Sequence, residues 1–230
     1  MKIDYNYLCV VGDIHGEFPG LIWTITQKRL RDTAFIVAGD FGLGFHKPGY
    51  YERVYTRIKR RLEDNHNILL GLRGNHDNPE CYRPDSELFV DFPLLKALPD
   101  YTRLEWKDRE ILVIGGATSK DRDWRWENPK KRPWWEDERP VQDLSKINPK
   151  EDIIISHEAP IMLGPIVSRS EEMGLETYRN IIEDREYLYR ILRDSNPDRY
   201  FFGHYHRSMT GTWAETLWTG LGINEVYEIY

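Results

Sequence analysis

The stretch YLCVVGDIHG, residues 7–16, joins an apolar run to a glycine that is followed by an acidic and an imidazole side chain. Apolar runs of this length that end at glycine are typical of buried β-strands. Further runs of the same form each end in glycine or in a polar cluster. They lie at residues 34–38, 68–72, 111–114, 153–155 and 200–202. The repeated pattern predicts strands whose ends carry polar side chains.

Three segments with apolar residues at helical spacing lie between the predicted strands, at residues 18–25, 51–62 and 177–193. Pro19 lies near the start of the first segment, where proline is tolerated. Residues 215–230 are expected to form one or two closing strands. Strands that alternate with helices indicate a layered α/β fold.

Residues 119–149 follow neither period, and their first part reads SKDRDWRWENPKKRPWWEDERP. Four tryptophans in this segment argue against a flexible linker. They are Trp124, Trp126, Trp134 and Trp135. The strand pattern resumes at Ile153, so we expect an ordered excursion rather than a domain boundary. A chain of 230 residues, 40% of them hydrophobic, is expected to form a single domain over residues 1–230.

The chain carries a formal net charge of −6 at pH 7. Binding to long nucleic acid depends on neutralising phosphates with Lys and Arg, so an acidic chain is a poor candidate for it. A short nucleotide or a small phosphate ester is not excluded. Cys9 and Cys81 are the only cysteines, which predicts no disulfide framework. The first residues resemble neither a signal peptide nor a spanning helix, so we expect a cytoplasmic protein with no membrane partner.

Carboxylate, amide and imidazole side chains follow five of the predicted strands. In open α/β sheets ligands bind beyond the carboxyl ends of the strands, so these side chains are expected to converge. Mixed oxygen and imidazole ligands suit divalent ions such as manganese, iron or zinc. The clusters are Asp13 with His15, Asp40, Asn75 with His76 and Asp77, His157, and His204 with His206.

Each cluster taken alone has a purely structural explanation. A single histidine in a loop is usually a surface or core residue, and His46 and His66 are given no role. An Asp after Gly is often a turn residue, and Asn75 with its neighbours could cap a helix. Five of the seven histidines nevertheless fall inside the clusters, all at one end of the predicted sheet. Chance placement explains this poorly, and a metal centre is the preferred interpretation.

In chain order the clusters form five short motifs. They read GDIHG at 12–16, GDFG at 39–42, GNHD at 74–77, SHEAP at 156–160 and GHYH at 203–206. This ordered set resembles the signature of the calcineurin-like metallophosphoesterases. The resemblance implies an α/β fold with a four-layer α-β-β-α sandwich, in which two mixed sheets lie between helical layers. It also implies a phosphoester hydrolase that uses two divalent ions, manganese first, with iron, zinc or nickel as alternatives.

The same resemblance implies a set of ligands for each ion. The first ion would be held by Asp13, His15, Asp40 and His206. The second ion would be held by Asp40, Asn75, His157 and His204. Asp40 would bridge the two ions, because a carboxylate offers two usable oxygens.

The chemistry implied by the resemblance is attack on phosphorus by a hydroxide that bridges two ions about 3.5–4 Å apart. The ions would neutralise the phosphoryl oxygens as charge builds on them. His76 would not be a ligand, but would lie beside the substrate and donate a proton or a hydrogen bond to the leaving oxygen. Asp77 would orient His76, as carboxylates do for other imidazoles at metal sites.

The second motif departs from that of the serine/threonine phosphatases, which carry Asp-Arg-Gly after the bridging aspartate. Here residues 39–44 read GDFGLG, without the arginine that grips phosphate in those relatives. Lys120, Arg122 and Arg125 of the excursion are candidates to replace it, and its tryptophans are candidates to stack on a base or ring. The alternative is that the tryptophans form a small core and that the arginines pair with Asp121, Asp123 and Glu136.

We therefore expect hydrolysis of a small, nucleotide-derived phosphate monoester or diester. The alternative is a nuclease that acts on DNA or RNA ends, but the acidic balance and the lack of a basic patch interleaved with aromatic residues weigh against it. A non-catalytic scaffold would be expected to have lost metal ligands, and none is missing. A protein phosphatase is disfavoured by the second motif.

Overall fold

The computed structural model describes residues 1–44, 46, 49–128 and 135–229. Four α-helices are α1 Phe18–Gln27, α2 Tyr50–Asp64, α3 Arg122–Glu127 and α4 Leu175–Ser195. The strands of the first half are β1 Lys2–Ile3, β2 Tyr7–Val11, β3 Thr33–Val37, β4 Asn67–Gly71, β5 Asp91–Phe92, β6 Leu95–Ala97, β7 Arg103–Trp106 and β8 Arg109–Ile114. Those of the second half are β9 Ile153–Ser156, β10 Arg199–Phe202, β11 Met209–Trp213, β12 Thr216–Gly220 and β13 Val226–Ile229.

The strands form two mixed sheets. One sheet has the order β13-β2-β3-β4-β6-β5, and the other has the order β1-β7-β8-β9-β10-β12-β11. In the first sheet β2, β3, β4 and β6 run parallel, while β13 and β5 pair antiparallel at its ends. In the second sheet β8, β9, β10 and β12 run parallel. The carboxyl ends of the central strands therefore lie at one edge of each sheet.

Alternate side chains of the central strands enter different cores, because successive residues of a strand point to opposite faces. Leu8 and Val10 of β2 pack with Ile111 and Val113 of β8 in the core between the two sheets. This core covers the inner face of each sheet, and the helices described next cover the outer faces. Burial on both faces explains why the strands appear in the sequence as continuous apolar runs.

The outer faces of the two sheets are covered by helices. The outer face of the first sheet packs against the apolar stripes of α1 and α2, and the outer face of the second packs against α4. The layers therefore run helix, sheet, sheet, helix, and the predicted four-layer α/β fold is confirmed. No helix among the described residues combines the length and the apolar composition that crossing a membrane requires.

The excursion at residues 119–149 contains α3 and a short 3-10 helix, Leu144–Lys146. Trp124 and Trp126 of α3 are 43% and 63% exposed, so these two do not form the small core considered as an alternative. Trp134 lies outside the described residues. The described residues of the excursion, 119–128 and 135–149, pack beside the carboxyl ends of the strands through contacts described below.

Candidate metal centre

The predicted ligands lie where the two sheets end. Asp13, Asp40 and Asn75 follow β2, β3 and β4, which are parallel neighbours in the first sheet. His157 and His204 follow β9 and β10, a parallel pair in the second sheet. The main-chain N–H of His204 donates to Asp13 Oδ1 over 3.0 Å and so joins the two sheets at this edge. The fold thus brings side chains from distant parts of the chain into one site.

The first group consists of Asp13, His15, Asp40 and His206, whose ligand atoms all lie within 4.8 Å of one another. His206 Nε2 lies 3.1 Å from Asp13 Oδ2 and 3.1 Å from His15 Nε2. His15 Nδ1 lies 3.7 Å from Asp40 Oδ2. Both carboxylates are buried, whereas both imidazoles are partly exposed, so the carboxylates form the floor of the group.

The second group lies on the other side of Asp40. Asn75 Oδ1 lies 2.9 Å from His157 Nε2 and 3.0 Å from His204 Nδ1. His157 Nε2 also lies 3.5 Å from Asp40 Oδ1. Asp40 therefore directs Oδ2 toward the first group and Oδ1 toward the second.

The hydrogen bonding of His157 leaves its second nitrogen facing oxygen acceptors. His157 Nδ1 lies 2.8 Å from the carbonyl oxygen of Ala38, and a carbonyl oxygen only accepts, so Nδ1 carries the proton. In the neutral ring Nε2 is then unprotonated and faces the side-chain oxygens of Asn75 and Asp40. A convergence of unprotonated imidazole nitrogen, amide oxygen and carboxylate suits a divalent cation, which the residues of this group therefore fit.

The electrostatic environment of Asp40 also favours a cation. Asp40 is 1% exposed, and Oδ1 accepts a hydrogen bond of 2.9 Å from the main-chain N–H of His76. Oδ2 is buried and finds no hydrogen-bond partner within the part of the chain that the structure describes. Burial, and then the charges of Asp13 and Asp77, raise the pKa of Asp40 well above its usual value. A divalent ion would relieve this repulsion and supply the missing partner.

Four of the predicted ligands have a left-handed backbone conformation. The φ angles are +46° for His15, +45° for Asp40, +67° for His204 and +55° for His206. Non-glycine residues are uncommon in this region, and such conformations concentrate at functional sites. The less favourable backbone conformation costs conformational free energy at each residue and directs these side chains to one point.

Glycines of the motifs allow the polypeptide segments to approach each other. A Cβ atom at Gly74 would lie 2.1 Å from Asp40 Oδ1, and one at Gly203 would lie 2.2 Å from Asp13 Oδ1. Any larger residue at either position would displace a carboxylate of the site. The glycine before Asn75 and the glycine before His204 are therefore part of the architecture that positions the carboxylates.

His76 lies beside His15, with ring centroids 5.6 Å apart, and contacts a buried arginine. Arg125 Nη1 lies 3.1 Å from His76 Nδ1, and Arg125 Nη2 lies 3.3 Å from His76 Nε2. Arg125 is 2% exposed, and its Nε lies 2.9 Å from Asp121 Oδ1. Burial, followed by the charge of Arg125, lowers the pKa of His76 to about 2. The imidazole is therefore neutral near pH 7.

Asp77 has a different environment from the one expected for a residue that orients His76. It is fully buried, and its two oxygens accept four main-chain hydrogen bonds of 2.6–2.9 Å. The donors are the N–H groups of Phe41, Gly42, Leu43 and Gly74. Three of them belong to the loop that follows Asp40. Asp77 thus holds the loop that carries the central carboxylate, and its four bonds go to the main chain rather than to the His76 ring.

We expect Asp77→Ala to destabilise the fold strongly, because it leaves several buried N–H groups without an acceptor. Each such group costs about 1–3 kcal/mol, so the free energy of unfolding should fall by at least about 3 kcal/mol. Urea denaturation in the presence of EDTA would measure the loss without a contribution from metal. Asp85→Ala, at an exposed position nearby in sequence, is the control. A loss below about 1 kcal/mol, the size of an ordinary substitution effect, would contradict the assignment.

A cleft of about 510 Å³ opens over the two groups of ligand atoms. Only two of the three side chains predicted to bind phosphate line it. Lys120 and Arg125 line it, together with Arg207. Arg122 is not among the described residues that line the cleft, and its Nη1 lies 3.3 Å from Oε1 of the buried Glu138. Arg122 thus pairs with a carboxylate outside the expected set, whereas Arg125 pairs with Asp121, as the alternative expected. Arg207 directly follows the last motif, and this position is the sequence signal that could have identified it.

Glu158 lies near a predicted ligand, and its position directly after His157 in the SHEAP motif is the sequence signal that could have identified it. It is buried, and its Oε2 lies 3.6 Å from His204 Nε2. Its Oε1 accepts hydrogen bonds from the main-chain N–H of Ala159 and from the Tyr205 hydroxyl. Because His204 directs Nδ1 toward Asn75, the carboxylate lies behind the other ring nitrogen. A separation of 3.6 Å is too long for a hydrogen bond, so Glu158 places a negative charge behind His204 without fixing its ring.

Comparisons with known proteins are informative at the level of the family. Residues 7–208 match the family described as calcineurin-like phosphoesterase. No curated protein sequence matches the chain. Among the solved structures that align with it, two have a TM-score of 0.44 and 15% sequence identity each.

One of these structures is a Staphylococcus aureus protein named as a 5′-nucleotidase, solved in complex with alpha-ketoglutarate, and the alignment covers 96% of this chain and 50% of that one. The other is GAP50, the anchor in the inner membrane complex of Plasmodium, with 94% of this chain and 71% of that one covered. The chain thus spans half the length of the Staphylococcus aureus protein. At these TM-scores the two likenesses support neither a fold nor a function.

The family match, in contrast, extends over most of the sequence. It includes all five motifs, from GDIHG at 12–16 to GHYH at 203–206. The matched residues include strands β2 to β10 and the two groups of ligand atoms around Asp40. The chain therefore belongs to the calcineurin-like phosphoesterase family.

Proposed function

We propose that the protein hydrolyses a small phosphate ester with the help of two divalent ions. The observation that supports this best is the position of Asp40, a buried carboxylate whose two oxygens face two separate groups of ligand atoms. An ion in each group would share Asp40. The family membership supports the reaction class, and the two groups support the number of ions.

Each proposed ion has its own set of ligands around the shared carboxylate. The first set is Asp13, His15, Asp40 and His206, and the second is Asp40, Asn75, His157 and His204. Manganese is our first choice, with iron, zinc or nickel as alternatives, because oxygen and imidazole ligands suit these ions. Such ions, when bound, neutralise the phosphoryl oxygens and lower the pKa of bound water.

The size and charge of the cleft favour a small substrate. A volume of about 510 Å³ is within the usual range for pockets that bind small molecules. Lys120, Arg125 and Arg207 provide positive charge for a phosphate, while Pro165 and Ile166 provide apolar surface. We therefore propose a nucleotide-derived monoester or diester rather than long nucleic acid, which binds along extended basic grooves with aromatic platforms.

Arg125 and Lys120 are the proposed phosphate-binding residues. The guanidinium of Arg125 is a planar donor that can bind two phosphate oxygens at once. Lys120 Nζ lies 5.8 Å from the centre of the Tyr205 ring, within the cleft. These two cations would replace the arginine that the second motif lacks. Arg125 also pairs with Asp121, but it lines the cleft. We do not propose this role for Arg122, because it pairs with the buried Glu138 and is not among the described residues that line the cleft.

His76 is proposed to donate a hydrogen bond or a proton to the leaving oxygen. Its ring lies next to the phosphate-binding Arg125 and beside His15 of the first group. We propose Asp77 only as the residue that holds the Asp40 loop, since its oxygens already accept four main-chain hydrogen bonds. A cytoplasmic location remains part of the proposal, supported by the free thiols of Cys9 and Cys81, which suit a reducing compartment.

The test of this proposal is manganese-dependent hydrolysis of p-nitrophenyl phosphate and of bis-p-nitrophenyl phosphate, with Asp40→Asn as the blank. We expect cleavage of at least one ester by the wild type and none above background by the blank. Preference for the diester would direct the substrate search to cyclic nucleotides and other diesters. Preference for the monoester would direct it to nucleotide and sugar monophosphates.

The proposal would be contradicted by turnover that does not depend on added Mn²⁺ after EDTA treatment. It would also be contradicted if Asp40→Asn cleaved both esters at the wild-type rate. If neither ester were cleaved by protein with bound Mn²⁺, the small-ester proposal would fail for these aryl substrates. Nucleotide esters would then be tested against the same blank.

A further inference from the structure

Asn75 can serve as a ligand only if its amide group points in one direction. Its Oδ1 lies 2.9 Å from His157 Nε2 and 3.0 Å from His204 Nδ1, while its Nδ2 donates to Ser119 Oγ over 2.8 Å. A reversed amide would place an NH₂ group, which has no lone pair for a cation, inside the second group. Whatever fixes the direction of this amide therefore fixes the ligand.

The direction of the amide is determined by the hydroxyl of Ser119. That hydroxyl has a single hydrogen, which it donates to Glu138 Oε2 over 2.6 Å. The main-chain N–H of Ser119 donates to Glu138 Oε1 over 3.0 Å, so both oxygens of the carboxylate are engaged by the same residue. With its hydrogen committed, Ser119 Oγ can only accept from Asn75. An ionised carboxylate cannot donate, so Glu138 determines the direction of both hydrogen bonds.

Glu138 is itself firmly held, although it lies 63 residues beyond Asn75 in the sequence. Its side chain is fully buried and also accepts from Arg122 over 3.3 Å. The buried guanidinium of Arg73 donates to the carbonyl oxygens of Glu138 and Arg139 over 3.0 and 2.7 Å. Arg73 lies two residues before Asn75 in the chain. The far end of the excursion is thus fastened to the segment that carries the ligand.

We propose that Glu138, acting through Ser119, is a positioning residue that holds Asn75 with its oxygen toward the second metal ion. This inference rests on the proposed function, because it takes Asn75 as a ligand of that ion. It gives the excursion a role in metal binding in addition to its contribution to the cleft. Burial raises the pKa of Glu138, while the hydrogen bonds from Ser119 and the charges of Arg122 and Arg125 lower it and favour the ionised form.

The inference is tested by titrating Mn²⁺ into the full-length, metal-free protein, with calorimetry and a count of bound Mn²⁺ after gel filtration. The wild type should bind two equivalents. In Glu138→Gln the affinity for one of the two should fall by about 10–100-fold, the usual effect of removing a residue that orients a ligand. The other equivalent should bind as in the wild type, since the first group does not include Asn75.

A glutamine at this position cannot preserve the hydrogen bonds of the carboxylate. If its NH₂ group faces Ser119 Oγ, the hydroxyl hydrogen is released and can donate to a reversed Asn75 amide. If its NH₂ group faces the Ser119 N–H, two donors oppose each other. Ser119→Ala, which removes the link altogether, should weaken the same equivalent, and Ser119→Thr should restore binding because it keeps the hydroxyl.

Glu136→Gln is the matched control, because it makes the same chemical change at an exposed position two residues away. Circular dichroism would establish that each variant is folded. The inference would be overturned if folded Glu138→Gln and Ser119→Ala bound both equivalents with wild-type affinity, or if Glu136→Gln weakened binding equally. Failure of the proposed function would be different, since the wild type itself would bind fewer than two equivalents, and the inference would then fall with it.

Discussion

The Asp40→Asn variant is expected to bind fewer than two equivalents of Mn²⁺ and to lose nearly all turnover. The proposed ions would supply several kcal/mol of transition-state stabilisation, and about 1.36 kcal/mol corresponds to a factor of ten, so we expect a loss of roughly 10³-fold or more. Metal content by mass spectrometry and hydrolysis of the aryl esters measure the two effects. This is the largest change that we expect from any single substitution.

The physical reason is that an amide can replace only half of what Asp40 offers. Asp40 Oδ2 lies near His15 in the first group, and Asp40 Oδ1 lies near His157 in the second. Asparagine keeps one oxygen, directs an NH₂ group at the other position, and carries no negative charge. One group would therefore lose an anionic ligand and acquire a donor that repels the cation.

A defect in folding can be separated from a defect in metal binding. Burial and the neighbouring carboxylates raise the pKa of Asp40, which means that its charged form is unfavourable in the metal-free fold. The metal-free variant should therefore be at least as stable in urea as the metal-free wild type. Asp108→Asn, at an exposed position, controls for the chemical change. Full metal occupancy with normal turnover in Asp40→Asn would refute the bridging role.

The central strands could be predicted from the sequence because they are buried on both faces. The run at residues 7–11 forms β2 with the predicted bounds, and the run at 34–38 differs from β3 by one residue at each end. The short edge strands β1 and β5 were not predicted, since two residues do not make a recognisable apolar run. Strand β7 was missed for a different reason, because its sequence RLEW alternates polar and apolar residues and contains no continuous apolar run.

The predicted ligands follow the ends of the central strands, so their convergence could be expected once the strands were found. The residues that hold these ligands in place could not be predicted, because hydrogen-bond partners distant in the chain do not recur at any regular spacing in the sequence. Asn75 and Ser119 are 44 residues apart, and Ser119 and Glu138 are 19 apart. For Arg122 the sequence offered a phosphate or a neighbouring carboxylate as partner, and only the fold identifies Glu138.

His76→Ala should differ from Asp40→Asn in metal binding. We expect His76→Ala to keep its metal ions and to lose turnover. His76 is not placed in either group of ligand atoms, so both equivalents of Mn²⁺ should remain. A group that assists the leaving oxygen typically contributes about 10²–10⁴-fold, and we expect a loss in this range for esters with poor leaving groups. Phenyl phosphate against p-nitrophenyl phosphate provides the comparison, since nitrophenolate departs with less assistance.

The protonation state of His76 decides what kind of assistance it gives. Burial and the charge of Arg125 lower its pKa to about 2, so the free protein presents a neutral ring at pH 7. A neutral imidazole can donate a hydrogen bond from its one N–H group. A bound phosphate dianion between Arg125 and the ions would raise the pKa again, because a nearby negative charge favours the imidazolium. Proton donation therefore requires that bound substrate first raise the pKa of His76, whereas the neutral ring can donate a hydrogen bond without that change.

The dependence on the leaving group separates a proton donor from a group that only binds phosphate. A donor predicts that His76→Ala loses much more activity toward phenyl phosphate than toward p-nitrophenyl phosphate. Equal losses for both esters would assign His76 to phosphate binding alone, in keeping with its contact with Arg125. His66→Ala is the matched control, since His66 is exposed and pairs with Asp32 at the opposite end of β4. Loss of a metal ion from His76→Ala would contradict both roles, because it would make His76 a ligand.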